Sequence, residues 1–252
     1  MTIAARLPLT EPRRLTYRSA AGVRFAVVDL ETTGLDPCAD RVVECAVVEV
    51  DRGGHVIAEW STLVSIPGSA EVGALGIHGI SRQMLDGAPV FADVITDLAA
   101  RLAGRVIVGH VLAFDLEHLR SEFARSGVCL PVLNPSGLCT RELARAFLPP
   151  GPRNLQACCQ AAAVECGELH TALGDARATA GLLGHFLLSG YPIDYESRSR
   201  HGDAIVWPNL ERRARSSGRR STGPIEPCDA PPARRSDELV SRGLGRAIDQ
   251  TR

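Results

Sequence analysis

Apolar residues crowd the stretch 25–64 in short runs or in alternation with polar ones, and between 91 and 188 they recur mostly at helical spacing. Phe25-Ala26-Val27-Val28 is uninterrupted, the pattern of a strand covered on both faces. VVECAVVEV (42–50) and HVIAEWSTLV (55–64) follow, parted by the turn formers Asp51-Arg52-Gly53-Gly54, which predicts an antiparallel meander. Residues 91–103 suit a helix. RVIVGH (105–110) is a short apolar strand, and the helix after it, 113–126, carries the stripe Leu112, Leu116, Leu119 and Phe123 before Gly127 stops it. A short strand near Leu138 is expected, then helices at 140–147 and 154–163, split by Pro149-Pro150-Gly151-Pro152. The last strong helix, 171–188, repeats Leu173, Ala176, Ala180, Leu183 and Leu187 on one face.

Periodicity fails from Tyr191 onward, where Arg, Ser, Pro and Gly dominate. Three segments follow: an extension over 1–21, a folded domain over 22–190, and a mostly disordered tail over 191–252. Composition adds a charge pattern. Residues 1–24 carry five Arg against one acid, residues 25–190 carry 11 against 19, and residues 191–252 carry 12 against nine. All 28 basic residues are Arg, which is always charged and grips phosphate bidentately. No apolar run reaches membrane-spanning length and no long apolar leader opens the chain, so a cytoplasmic protein without membrane contact is expected. The eight cysteines show neither a C-x-x-C pair nor metal-type Cys/His spacing, which argues against a zinc site.

The chemistry lies where acids end the predicted elements. VVDLETTGLDP (27–37) leaves the first strand through Asp29 and Glu31, two residues apart and so on one face, with no basic residue beside them. A divalent cation held by hard oxygen ligands is the natural counter-charge; an exposed acidic turn is the alternative. Asp115 falls in the first turn of the helix after the fourth strand, where the macrodipole alone would favour an acid. Asp175 lies early in the last helix, five residues after His170; a histidine taken singly is more often a surface or core residue than a catalyst.

Together these stretches, VVDLETTGL, GHVLAFDLEHL and HTALGDARAT, resemble the three motifs of the DEDDh 3'-to-5' exonucleases, in particular the proofreading epsilon-subunit type. The connecting GIHGISRQML and CTRELARAFLP are similar as well, and the likeness spans roughly residues 22–188. It implies an RNase H-like α/β fold: a mixed sheet of five strands, the second antiparallel to the rest, flanked by helices. It implies two divalent cations, Mg²⁺ or Mn²⁺, one held by Asp29, Glu31 and Asp175, the other held or oriented by Asp29 and Asp115. His170 would be the general base toward the attacking water, since neutral imidazole titrates near working pH. Thr32, Thr33, Gly34 and Leu35 would meet the terminal nucleotide, although Gly34 serves a tight bend equally well. His78, His110 and Phe114 are the other candidate substrate contacts, with core packing the alternative for Phe114. Val111 departs from the Asn that commonly follows the histidine of the second motif, which bears on strand binding rather than on the acids.

The expected activity is hydrolysis of phosphodiester bonds at 3' ends, DNA favoured over RNA, releasing nucleoside 5'-monophosphates in proofreading or repair and in possible association with a DNA polymerase. RNA 3'-end trimming uses nearly the same five residues and is the alternative. A non-catalytic nucleic-acid or polymerase-binding module has no use for clustered acids facing phosphate, which counts against it.

Overall fold

Residues 23–131 and 137–207 are described by the structure, a computed structural model. Five strands form one sheet: β1 (Val23–Thr32), β2 (Val42–Asp51), β3 (Val56–Leu63), β4 (Val106–Gly109) and β5 (Leu138–Cys139), in spatial order β3-β2-β1-β4-β5. β2 runs antiparallel to both neighbours, while β4 and β5 run parallel to β1. This is the mixed five-stranded sheet expected from the sequence.

The continuous apolar run of β1 is explained by its central place. Ala26, Val28 and Leu30 face one layer, built from α2 (Phe91–Leu102) and α3 (Leu112–Arg125), to which Val94, Leu98, Leu119 and Phe123 contribute. α1, a single turn over Leu75–His78, precedes them in the chain. Phe25 and Val27 face the other layer, where Ala46 and Val48 of β2 meet Ala172, Ala176, Ala180 and Leu183 of a long helix. Between the layers in sequence come α4 (Thr140–Phe147) and α5 (Leu155–Ala161), which build a smaller core against that same helix, α6 (Ala172–Leu188). Alanines on α6 let it lie close to the sheet. Where β1 passes into its terminal turn the pairing with β2 slips by one residue, since Glu31 opposes Glu44 but Thr32 opposes Val42. Such a bulge re-aims side chains, and here it falls beside the acids.

The domain does not end at 190. α7 (Tyr195–Ala204) follows, its first turn capped by Asp194, which accepts from the Ser197 N–H at 3.1 Å. Tyr195 packs edge-on to Phe25 with ring centroids 6.1 Å apart. Gly202 fits beside the Arg105 carbonyl at the start of β4, where a Cβ would lie 2.9 Å away. Trp207 then joins the α2/α3 layer. Residues 195–207, expected to belong to a disordered tail, are thus packed on the domain, and the rest of that predicted tail lies outside the described residues. YESRSRHGDA has no apolar stripe of its own, and a few flanking aromatic and apolar contacts hold it. The predicted extension at 1–21 and the arginines at 212, 213, 215, 219 and 220 lie outside the described residues.

Candidate active site

β1 delivers Asp29 and Glu31 to one face by strand parity, the same face as Phe25 and Val27. α6 brings Asp175 to them from across the sheet. One carboxylate oxygen from each of these three lies within 4.8 Å of the others. Asp115, in the first turn of α3, is buried to 5% exposure and comes close enough to raise the Asp29 pKa by repulsion. Its carboxylate packs over Gly109 at the end of β4, where a Cβ would stand 3.1 Å from Oδ2, and the Leu30 backbone N–H steadies it. Acids separated by up to 146 positions, Asp29 to Asp175, thus meet at one end of the sheet.

The electrostatics follow from that convergence. Burial first, then repulsion by Asp115, Asp175, Glu31 and Glu44, pushes Asp29 well above the usual carboxylate range. Burial and the charges of Asp175 and Glu44 push Glu31 up to about 8. Asp115 is raised by burial and by Glu31 and Asp175. Asp175 is raised by burial, against the favourable pull of the His170 backbone N–H. Among the described residues no arginine contributes to any of these shifts. Oxygen donors gathered in this way, half out of water and short of positive charge, fit a hard divalent cation.

His170 is exposed and holds a left-handed backbone, φ 66°, which histidine tolerates better than most residues. Gly174 makes the bend possible: a Cβ there would fall 1.6 Å from the Glu168 carbonyl, so the loop bearing His170 lies directly on the first turn of α6. Thr171 caps that turn by accepting from the Gly174 N–H at 3.1 Å. The imidazole is thereby held beside Asp175 yet open to solvent.

The turn after β1 is built around Asp40. Thr33 Oγ1 donates to Asp40 Oδ1 at 2.8 Å and the Asp36 N–H donates to Oδ2 at 2.8 Å. Gly34 keeps an ordinary φ, so conformational freedom is not its reason. A Cβ there would meet Asp40 Oδ2 at 2.5 Å, and the close approach requires glycine. Thr32 is buried, its hydroxyl donating to the Gly34 carbonyl at 2.7 Å, whereas Leu35 is 43% exposed. Phe114, half-buried next to Asp115, packs on His118 with centroids 4.2 Å apart.

Two sequence-derived substrate contacts are placed differently. Both ring nitrogens of His110 are engaged, by Thr140 Oγ1 at 3.0 Å and the Arg153 carbonyl at 2.9 Å, and burial pushes its pKa down to about 4. It ties β4 to α4 and to the proline loop, leaving no nitrogen for a ligand. His78 is buried at the end of α1, and its Nδ1 accepts from the Ile80 N–H at 3.0 Å. Burial also lowers the His78 pKa, the Thr32 backbone opposing the shift, so this ring lies beside the end of β1. The sequence reading passed over Glu44, which opposes Glu31 across the β1/β2 pair and is itself raised by burial. Its only signal was a polar residue in phase with Ala46 and Val48, on the face that proves to be buried.

A five-stranded mixed sheet with an acid cluster at the end of its central strand defines a metal-dependent nuclease of the RNase H-like class. The exonuclease family model of the RNase T type matches residues 26–183. The chain belongs to this exonuclease family. Among curated relatives, the PolC-type DNA polymerase III of Oceanobacillus iheyensis is 32% identical over 164 residues, which cover 63% of this chain and 11% of that protein. The chain thus matches only about a tenth of that polymerase. Of the solved structures, exonuclease X in complex with 5' overhanging duplex DNA aligns with a TM-score of 0.54 at 24% identity, over 71% of this chain and 99% of that one. The nuclease domain of 3'hExo, a DEDDh family member bound to rAMP, aligns with a TM-score of 0.58 at 15% identity, over 68% and 94%. At these identities the two structures speak for the fold.

Proposed function

We propose that the chain removes nucleotides from the 3' end of DNA, releasing nucleoside 5'-monophosphates, and that it acts in proofreading or repair beside a DNA polymerase in the cytoplasm. The observation that carries this reading is the convergence of Asp29, Glu31 and Asp175 within 4.8 Å, next to Asp115 and, among the described residues, without an arginine. Asp29, Glu31 and Asp175 would hold one divalent cation and Asp29 with Asp115 a second, either Mg²⁺ or Mn²⁺. When bound, such ions supply charge stabilisation at the scissile phosphate and an acidified water.

The protein's own groups do the remaining work. His170 takes the proton of the attacking water on a ring nitrogen, a task suited to an exposed imidazole held at a carboxylate cluster. Leu35 presents an exposed apolar side chain to the terminal base, from a turn that Thr32, Thr33, Gly34 and Asp40 keep rigid. Phe114, backed by His118, offers a second apolar surface. His78 and His110 support this surface from behind. Similarity to a DNA polymerase favours DNA over RNA and a polymerase partner.

The test is digestion of end-labelled single-stranded DNA, duplex DNA with a mismatched 3' end, and RNA of the same sequence, each with Mg²⁺, Mn²⁺ or EDTA. Stepwise shortening of DNA from the 3' end that stops in EDTA is the expected result. Activity that survives EDTA overturns the metal assignment, and digestion of RNA alone overturns the substrate.

A further inference from the structure

Glu44 is a fifth carboxylate at this edge, and the four-acid site leaves it without a task. It lies directly opposite Glu31 in the β1/β2 register, an arrangement of like charges that costs stability wherever it is not offset. It is half-buried, and it forms no ion pair with an arginine among the described residues. Its Oε2 instead accepts the backbone N–H of Ala172 at 2.9 Å. Ala172 is the first residue of α6, so this N–H is one of the donors that a helix start cannot satisfy internally. Thr171 supplies the neighbouring donor, Gly174 N–H, with an acceptor. Glu44 therefore adds to the cap from β2, 128 residues away in the chain.

We propose that Glu44 is a positioning residue: its hydrogen bond to Ala172 fixes the start of α6 on β2, and so sets Asp175 and His170 against Asp29 and Glu31. The bonded residue lies between the two, two positions after His170 and three before Asp175. One point of attachment thus governs the general base and a metal ligand together. What matters is the reach and acceptor character of the side chain rather than its charge. Gln keeps both, Asp keeps the charge but is one methylene too short, and Ala keeps neither.

The inference rests on the catalytic assignment of His170 and Asp175, and the experiment separates the two. Steady-state kinetics on single-stranded DNA at saturating Mg²⁺ are measured for the wild type, Glu44→Gln, Glu44→Asp, Glu44→Ala and Asp29→Ala, with amide hydrogen exchange at Ala172 in the metal-free protein. Glu44→Gln should keep kcat within about twofold and leave the Ala172 amide protected. Glu44→Asp and Glu44→Ala should lose on the order of 10-fold to 100-fold in kcat with KM little changed, and should expose that amide, because a small misplacement of reacting groups is enough. In a His170→Ala background the Glu44→Ala loss should shrink several-fold, since groups that act as a unit are not additive. Wild-type kcat in Glu44→Ala, recovery in Glu44→Asp equal to that in Glu44→Gln, or a fully additive loss with His170→Ala overturns the positioning role. If Glu44→Ala does not fold, the Gln and Asp pair decides alone. Full activity in Asp29→Ala would instead remove the underlying site assignment.

Discussion

Two groups of buried or half-buried acids in this molecule are treated in opposite ways. Glu122 on α3 is 1% exposed and is gripped by Arg41 through Nε at 2.6 Å and through Nη2 at 2.9 Å, with Arg125 adding a third contact at 3.2 Å. Glu49 on β2 is held by Arg105 at 3.0 Å and by Arg101 at 3.3 Å. Asp29, Glu31, Asp115 and Asp175 have no such partner among the described residues; burial raises all four, and repulsion from neighbouring acids, Glu44 in the case of Asp175, adds to it. The fold therefore has arginines to spare for buried carboxylates and withholds them at one end of β1. Paired acids are structural cement. On the proposed function, the unpaired ones are kept destabilised for a ligand that carries the missing charge.

The contrast is broken most severely at the unpaired cluster. Asp29→Ala should lower exonuclease turnover by roughly 10⁴-fold or more, because charge stabilisation at the phosphate goes with the ligand. The same variant should melt no lower than the wild type in EDTA, as removal of one charge relieves the other three. Digestion of labelled DNA and a thermal melt test the two halves. His170→Ala should cost on the order of 10² to 10⁴ in kcat while Mn²⁺ binding, followed by calorimetry, is retained. A collapse of metal affinity would give His170 a different role.

At the paired group the effect should move from activity to stability. Glu122→Ala strands Arg41, leaves Arg125 only its bonds to the Pro37 and Cys38 carbonyls, and frees the Val42 N–H, which donates to Glu122 at 3.3 Å. The expected cost is about 3 kcal/mol, the low end for a broken buried pair because both guanidiniums reach solvent. Denaturant midpoints should record it, and activity per folded molecule should stay near that of the wild type.

pH sharpens the same comparison. Glu31 has a folded pKa raised to about 8 from an ordinary 4.5, so the folded metal-free protein holds a proton that the unfolded chain has lost. Between those values stability falls as pH rises, by ~1.4 kcal/mol per unit for each such group, and the loss levels off above the folded pKa. Melts in EDTA should therefore rise from pH 8 to pH 6. Saturating Mg²⁺ should flatten the dependence, since the bound ion keeps its ligands ionised. The smallest effect belongs to Arg177, whose exposed pair with Glu59 links α6 to β3 at 2.9 Å. Arg177→Ala should change stability by less than about 1 kcal/mol, in keeping with a screened surface pair.

Much of this was legible in the chain itself. The shared face of Asp29 and Glu31 follows from strand parity, and the meander, the α3 stripe and the α6 face follow from period alone, because those signals need only neighbours in sequence. Asp115 and Asp175 could be tied to the first two only through motif resemblance. What brings them together is the parallel pairing of β4 with β1 and the docking of α6 across β1 and β2. Arg41, which grips Glu122 through two nitrogens, and Ala172, which donates to Glu44, lie 81 and 128 residues from those acids, and no local pattern marks either contact. His110 read as a substrate residue because its motif neighbours are catalytic, yet bonds to Thr140 and Arg153 turn its ring inward. α7 and Trp207 were invisible to periodicity for the same reason. A segment without an apolar stripe folds only when a finished sheet offers it a place to pack, and that surface exists only once the tertiary structure has formed.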